Sequence, residues 1–189
     1  GKQALIEICD SVLEDNKKRK AGEKPLYLLY DQIYSLLTFN NMEHVDPVSL
    51  RPELKDYVVY IDGISKCFSA TGVRVGWGFG PEAIIGKMKS ILGHVGAWSP
   101  KAEQIATAQF LKDTVAVNTY LHAFKMQIQK SLDTLYQGIK QLKSEGFTVD
   151  AIEPMGAIYL TVQLEYAGKT TPDGTVLKTS ADINFYLIK

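Results

Sequence analysis

The chain has 189 residues, of which 46% are hydrophobic and 22% are charged, as in an ordinary globular protein. Lysine plus arginine equals aspartate plus glutamate at 21 each, so neither nucleic acid nor a membrane surface is expected as a partner. The two cysteines, Cys9 and Cys67, lack the spacing of a metal site or a disulfide framework, which favours a reducing, cytoplasmic location. No apolar run is long enough to span a bilayer.

Helical and strand patterns alternate in the first part of the chain. Apolar residues recur at helical spacing over residues 4–13. The runs PLYLLYD (25–31) and YVVYIDG (57–63) are typical of strands buried on both faces of a parallel sheet. A loop rich in glycine and small residues, SKCFSATGVRVGWGFG (65–80), follows the second run. This alternation predicts a three-layer α/β domain with a largely parallel sheet.

Three helices are predicted next. The segments PEAIIGKMKSILG (81–93) and SPKAEQIATAQFLKD (99–113) each have a proline at the start, with Ser99 as the expected N-cap of the second. Apolar residues from Tyr120 to Leu142 then step by three or four, which predicts one long helix. At about 1.5 Å per residue, such a helix can bridge two domains.

The last part of the chain has a different pattern. FTVDAIEP (147–154) and GAIYLTVQL (156–164) are predicted strands, and Asp173-Gly174 marks a hairpin turn. SADINFYLIK (180–189) begins a further helix. Because the chain starts within a helical pattern and stops in an apolar stretch, we expect a piece of a longer protein.

Two basic side chains are candidates for cofactor chemistry. Lys66 follows a predicted buried strand and precedes small residues, so its amine could reach a carbonyl compound; a surface lysine is the alternative. Arg74 lies between Gly72 and Gly76, where a guanidinium could bind phosphate through two parallel hydrogen bonds. The alternative for Arg74 is a surface ion pair.

Asp31 and Tyr34 are candidates at the end of the first strand. A carboxylate at Asp31 could keep a pyridine nitrogen protonated, or could cap the following turn. Tyr34 shares its face if the backbone turns helical, and could bind a cofactor oxygen or simply pack. Ligands bind beyond the carboxyl ends of parallel strands, so Asp31 and Lys66 are predicted to share one site.

Two segments resemble a known family. SKCFSATGVRVGW (65–77) resembles the SK-x-F-x-x-x-G-x-R-x-G signature of class I and II aminotransferases, which are fold-type I pyridoxal-phosphate enzymes. YDQIY (30–34) resembles the family segment whose Asp and Tyr flank the pyridine ring. The resemblance covers essentially the whole chain. It implies pyridoxal 5'-phosphate as cofactor, an L-amino acid of aspartate or aromatic type and a 2-oxo acid as substrates, and a homodimer.

The resemblance also assigns roles to single residues. Lys66 would carry the cofactor and move the substrate proton, and Arg74 would bind the phosphate with Ser65 as a weaker neighbour. Asp31 would pair with the pyridine nitrogen and Tyr34 with the 3'-oxygen.

The chain departs from the family in several places. Many members have a phosphate-binding serine where this chain has Gly63, a loss that Ser65 or Ser69 could offset. The upstream half of the large domain and the arginine that grips the substrate carboxylate have no match. The resemblance therefore implies that the isolated chain does not transaminate.

The resemblance divides the chain into three parts. Residues 1–118 would be the later part of the large pyridoxal-phosphate domain, 119–145 a connecting helix, and 146–189 the start of an α+β small domain. Two other functions remain open. One is a fold-type I lyase of the carbon–sulfur type, which would share the same cofactor residues, and the other is a non-catalytic aminotransferase-like regulatory domain.

Overall fold

The computed structural model describes residues 1–188, and the chain divides into two compact units, Gly1–Lys125 and Met126–Lys189. The first unit contains a three-stranded sheet with helices. Its helices and strands are α1 (Lys2–Lys18), β1 (Leu28–Asp31), α2 (Pro47–Leu50), β2 (Val58–Gly63), β3 (Gly76–Phe79), α3 (Glu82–Val95) and α4 (Lys101–Phe110). Helix α5 (Thr114–Ser144) begins in the first unit and continues into the second.

The sheet has the order β1-β2-β3. Strands β1 and β2 are parallel, with Asp31 beside Ile61. Strands β2 and β3 are antiparallel, with Gly63 beside Gly76. The two predicted strands are therefore confirmed as β1 and β2. The sheet is mixed over the described residues, whereas a largely parallel one was predicted.

The burial of the strands differs from the prediction. Strand β2 is mostly buried, as predicted. The prediction of burial on both faces is wrong for β1, because Leu29 is 66% exposed. Strand β1 lies at the edge of this sheet, and its side chains are alternately half-buried and exposed. Strand β3 was missed, because Gly-Trp-Gly-Phe has neither the apolar run nor the β-branched residues that signal a strand.

The core of the first unit lies between α1 and the sheet. The apolar face of α1 supplies Cys9 and Val12, which pack with Val58 and Tyr60 of β2. Leu54, in a short 3₁₀ helix at Pro52–Asp56, completes this cluster and is fully buried. Removing such side chains from water stabilises the fold by about 1.5–3 kcal/mol each, and this packing supports β2, the strand that leads to Lys66.

The helix boundaries shift by a few residues from those predicted. Helix α3 continues to Val95 and ends at Gly96 in a left-handed conformation, instead of ending at Gly93. Pro100 is the N-cap of α4, in the place predicted for Ser99. The long helix begins at Thr114, ahead of the predicted apolar repeat. The Asp113 carboxylate accepts a hydrogen bond from the Ala116 amide at 3.0 Å, which caps that start.

The second unit contains a small sheet and a helix. Strands β4 (Val149–Ala151) and β5 (Val162–Leu164) are antiparallel, and helix α6 spans Ser180–Ile188. Thr170 bridges Val176 across the predicted turn, where Gly174 has φ of +86°. No helix within residues 1–188 combines the length and apolarity needed to cross a membrane.

Candidate functional site

The segments that carry Asp31 and Lys66 leave the sheet at the carboxyl ends of the parallel strands β1 and β2. Asp31 is the last residue of β1 and lies beside Ile61 of the parallel strand β2. The amide of the next residue, Gln32, donates to the Ile61 carbonyl at 2.9 Å. Strand β2 ends at Gly63, and Lys66 lies in the turn that follows. Two turns that begin at the carboxyl ends of neighbouring parallel strands thus emerge side by side.

The first of these turns holds Asp31 and Tyr34. One Asp31 carboxylate oxygen accepts a hydrogen bond from the Ile33 amide at 3.1 Å, which is the geometry of an Asx turn. The Gln32 carbonyl then accepts from Ser35 at 2.7 Å. Asp31 is exposed and Tyr34 is half-buried. The Asp31 carboxylate therefore caps a turn and is also accessible from solvent.

The second turn holds Lys66 next to a buried thiol. Lys66 is half-buried, and its carbonyl accepts from the Ser69 amide at 3.2 Å. Cys67 is only 4% exposed, and its Sγ donates to the Gly63 carbonyl at 3.5 Å. Burial raises the pKa of the Cys67 thiol to about 11, so the thiol is protonated at neutral pH. Cys67 thus closes the turn as a small packed side chain and is not a thiolate nucleophile.

The loop from Lys66 to Arg74 folds back on the start of the turn. The Ile64 amide donates to the Val75 carbonyl at 3.3 Å. A Cβ atom added at Gly63 would lie 2.9 Å from that same carbonyl oxygen and 3.0 Å from the Gly76 Cα. Both neighbours are backbone atoms, so they cannot move away as a side-chain tip would. The close approach accounts for glycine at this position, where the resemblance led us to expect serine.

Arg74 returns to the site with an unusual backbone. Its φ is +59°, in the left-handed region that residues other than glycine seldom occupy. The guanidinium is exposed, and its Nη1 donates to the Thr71 carbonyl at 2.7 Å. This bond fixes one of the two terminal nitrogens of the guanidinium, while the side chain faces solvent. An arginine held in this way can bind an anion with little further ordering.

Ser65 and Arg74 line one cleft of about 510 Å³. The cleft also contains Asp62 at the end of β2 and two indoles, Trp77 and Trp98. A hydroxyl and a guanidinium are suitable donors for a phosphate group, so this part of the pyridoxal-phosphate assignment fits the residues present.

The other three predicted residues lie outside the lining of this cleft. Lys66 is directly adjacent to Ser65 in sequence, while Asp31 and Tyr34 lie in the neighbouring turn. The structure thus joins Ser65 and Arg74 in one cavity. It places the remaining residues at the carboxyl ends of β1 and β2.

Sequence reasoning missed Asp62. One of its carboxylate oxygens accepts from the Gly63 amide at 2.7 Å, and the other accepts from Nε2 of Gln32 at 3.0 Å. Its position at the end of β2 was the available signal. Within residues 1–188, no group of His, Cys, Asp or Glu is placed to hold a metal ion.

Comparison with known proteins identifies the family. The family model described as aminotransferase class I and II matches residues 19–180. The chain belongs to this family. A probable aspartate/prephenate aminotransferase of Rickettsia bellii is 27% identical over 163 residues, which are 86% of this chain and 39% of that protein. The aspartate aminotransferase of Geobacillus stearothermophilus is 34% identical over 134 residues, which are 70% of this chain and 32% of that protein.

The fold matches a solved structure of the same family. The crystal structure of the aspartate aminotransferase from Rhizobium meliloti superposes with a TM-score of 0.74 at 27% identity. The match covers 86% of this chain and 39% of that one. The predicted family and α/β fold class are therefore confirmed. This aminotransferase-family chain spans between 32% and 39% of the length of these relatives.

Proposed function

We propose that the protein to which this chain belongs is a pyridoxal-phosphate-dependent aminotransferase. It would move an amino group between an L-amino acid of aspartate or aromatic type and a 2-oxo acid. Membership of the family and the names of the aspartate aminotransferase relatives support this proposal. The observation that carries it is the arrangement of residues at the carboxyl ends of β1 and β2. Asp31 and Lys66 leave neighbouring parallel strands there, and the loop that follows brings Arg74 back to Ser65.

Each residue would have a definite task at these strand ends. Arg74 and Ser65 would donate hydrogen bonds to the cofactor phosphate in the 510 Å³ cleft. The Asp31 carboxylate would pair with the pyridine nitrogen, and the Tyr34 hydroxyl would face the 3'-oxygen. When bound, pyridoxal phosphate supplies the electron sink that makes the α-proton of the amino acid removable.

Lys66 would have two tasks in turn. Its amine would first hold the cofactor. Once released by the incoming amino acid, the same amine would take a proton at Nζ from the substrate α-carbon and would deliver it to C4' of the cofactor. Half-burial suits both tasks, because the amine must reach the reacting carbon while bulk water is limited around it.

The chain by itself is proposed to be inactive. It spans about 39% of the length of the Rickettsia relative, so groups from the rest of the protein would be needed for turnover. For the whole protein we propose a cytoplasmic homodimer. A carbon–sulfur lyase or a non-catalytic regulatory domain would use the same cofactor residues. Assaying the amino-acid product distinguishes transfer from cleavage and from simple binding.

The first experiment tests the lysine. The chain is mixed with pyridoxal phosphate, its visible spectrum is recorded, and borohydride then fixes the cofactor to the lysine it occupies for peptide mapping. We expect a visible band and labelling at Lys66, both lost in Lys66→Ala and retained in Lys55→Ala, which removes an exposed lysine elsewhere in the first unit. Arg74→Ala should weaken binding about 10- to 100-fold, as expected for a charge-assisted hydrogen bond.

Two results would contradict the assignment of Lys66. Labelling spread over surface lysines, or a band that persists in Lys66→Ala, would overturn the assignment of Lys66. If the chain gives no band, the same scan is repeated after upstream sequence has been restored. A band that then depends on Lys66 supports the proposal, and its continued absence refutes it.

A further inference from the structure

We propose that Gln32 and Asp62 form a positioning pair that holds the Asp31–Tyr34 turn against the Ser65–Lys66 turn. Nε2 of Gln32 donates to Oδ2 of Asp62 at 3.0 Å, across the carboxyl ends of β1 and β2. The hydrogen bond is observed in the structure. Its role in positioning Lys66 rests on the proposed function.

The pair is attached to both turns at their first residues. Gln32 directly follows Asp31, and its backbone amide already donates to the Ile61 carbonyl at 2.9 Å. Its side chain adds a second link to the next residue of β2, Asp62. Two hydrogen bonds from one residue to two successive residues of the neighbouring strand fix both the separation and the rotation of the first turn. The second bond is partly buried, so solvent weakens it less than it would weaken an exposed bond.

The second oxygen of Asp62 completes the arrangement. It accepts from the Gly63 amide at 2.7 Å, at the point where β2 ends and the lysine turn begins. Donors thus occupy both carboxylate oxygens, which fixes the orientation of the group. This also matters for charge, because Asp62 and Arg74 line the same cleft. The two N–H donors offset part of a negative charge that would otherwise oppose an anion there.

The donor and acceptor pattern predicts which substitutions are tolerated. In Asp62→Asn, Oδ1 can still accept from the Gly63 amide, and the Gln32 amide can rotate to accept from the new Nδ2 group. In Gln32→Glu, two carboxylates face each other. The double variant, Gln32→Glu with Asp62→Asn, has the same geometry with donor and acceptor exchanged. If the two residues act as a unit, the protection of residues 63–69 from hydrogen exchange should therefore recover in the double variant.

The first measurement is amide hydrogen exchange of residues 63–69 in the chain without cofactor. We expect Gln32→Glu to speed exchange there about tenfold, since about one partly buried hydrogen bond is lost. Asp62→Asn should stay within about threefold of the parent chain, and so should the double variant.

The control is a similar pair in the second unit. Nε2 of Gln163 donates to the carboxylate of Glu165 at 3.0 Å in an exposed position. Gln163→Glu adds the same charge opposite a carboxylate. It should leave exchange of residues 63–69 unchanged, so an effect seen in both variants would point to net charge and would overturn the pair.

The second measurement follows Lys66 itself. The pH profile of borohydride-fixed pyridoxal phosphate at Lys66 should shift in Gln32→Glu and return in the double variant. A double variant no better than Gln32→Glu in exchange would overturn the pair. Recovery of exchange with an unchanged Lys66 profile would overturn the positioning role. If Lys66 takes up no cofactor even after upstream sequence has been restored, the proposed function fails, while the cofactor-free exchange cycle still decides whether the pair joins the two turns.

Discussion

The hydroxyl of Tyr60 donates a hydrogen bond to the carboxylate of Asp46, the residue that caps helix α2. The same carboxylate accepts from the amides of Val48 at 3.1 Å and Ser49 at 3.0 Å. Tyr60 is 7% exposed, and its ring stacks on Phe79 of β3 with centroids 4.6 Å apart. Burial, together with the bond to Asp46, raises the pKa of the Tyr60 phenol well above its ordinary value, so the donor hydrogen is retained. One side chain thereby joins the middle strand to the α2 cap.

Removing that hydroxyl should destabilise the first unit. Tyr60→Phe keeps the stacked ring and loses the bond to a carboxylate, so we expect the free energy of unfolding to fall by about 1.5–3 kcal/mol. Urea denaturation measures this. Tyr57→Phe removes a hydroxyl from a half-buried ring and should change the value by less than about 0.5 kcal/mol. Equal losses in the two variants would show that the Asp46 bond contributes nothing specific.

Replacing Gly63 with serine should destabilise the protein. The Cβ of Gly63→Ser would lie 2.9 Å from the Val75 carbonyl oxygen, which requires a backbone shift and costs about 1–3 kcal/mol. Gly63→Ala should cost a similar amount, because the clash arises at Cβ. Gly86→Ala is the control, since that helical glycine has nothing within 4 Å of its Cβ position. It should stabilise the protein by about 0.5–1 kcal/mol. Tighter pyridoxal-phosphate binding by Gly63→Ser at undiminished stability would contradict this account.

These contacts mark the limit of what the sequence could predict. Strands β1 and β2 are recognisable from their apolar runs, and the Lys66–Arg74 spacing is recognisable as a family motif. Strand β3 is not, because its residues Gly76 and Gly78 serve close backbone approach and give no periodic signal. The exposure of Leu29 depends on the position of β1 in the sheet, which no local pattern contains.

The candidate site divides in the same way. Residue type and spacing were enough to nominate Asp31 and Lys66 at neighbouring strand ends. Which side chains enter a cavity depends on how the loop folds back, and that follows from contacts such as Ile64 with Val75. The bond between Gln32 and Asp62 joins residues thirty positions apart, so no short-range pattern could reveal it.

The loop that bears Lys66 should be stabilised when its left-handed residue is replaced by glycine. Ser69 has φ of +51°, which is unfavourable for an L-residue by roughly 1–2 kcal/mol. Glycine relieves this but adds roughly 0.5–1 kcal/mol of chain entropy to the unfolded state. Ser69→Gly should therefore raise the free energy of unfolding by about 0.5 kcal/mol. Ser69→Ala also removes the hydroxyl but keeps the strain, so it should give no gain in the same urea titration. A larger gain from alanine than from glycine would refute the strain argument.

The stability of the second unit should depend on acid through Asp150. Its carboxylate binds Nζ of Lys143, and also Nζ of Lys140 at 2.9 Å. These two bonds hold the pKa of Asp150 well below its ordinary value. A depressed folded pKa means that the carboxylate stabilises the fold above the unfolded pKa of about 3.9. That contribution is lost as the pH falls below about 4 and through the folded pKa.

Asp150→Asn should remove this acid dependence. We expect amide exchange of β4 and β5 in the parent chain to accelerate between about pH 4 and pH 2, after correction for the intrinsic rate. In Asp150→Asn, exchange should already be faster at pH 6 and should change little on acidification. Asp56→Asn, which removes an exposed carboxylate from the first unit, should retain the parent profile. If the parent and Asp150→Asn chains have parallel profiles, the two lysine bonds do not contribute to the stability of β4 and β5.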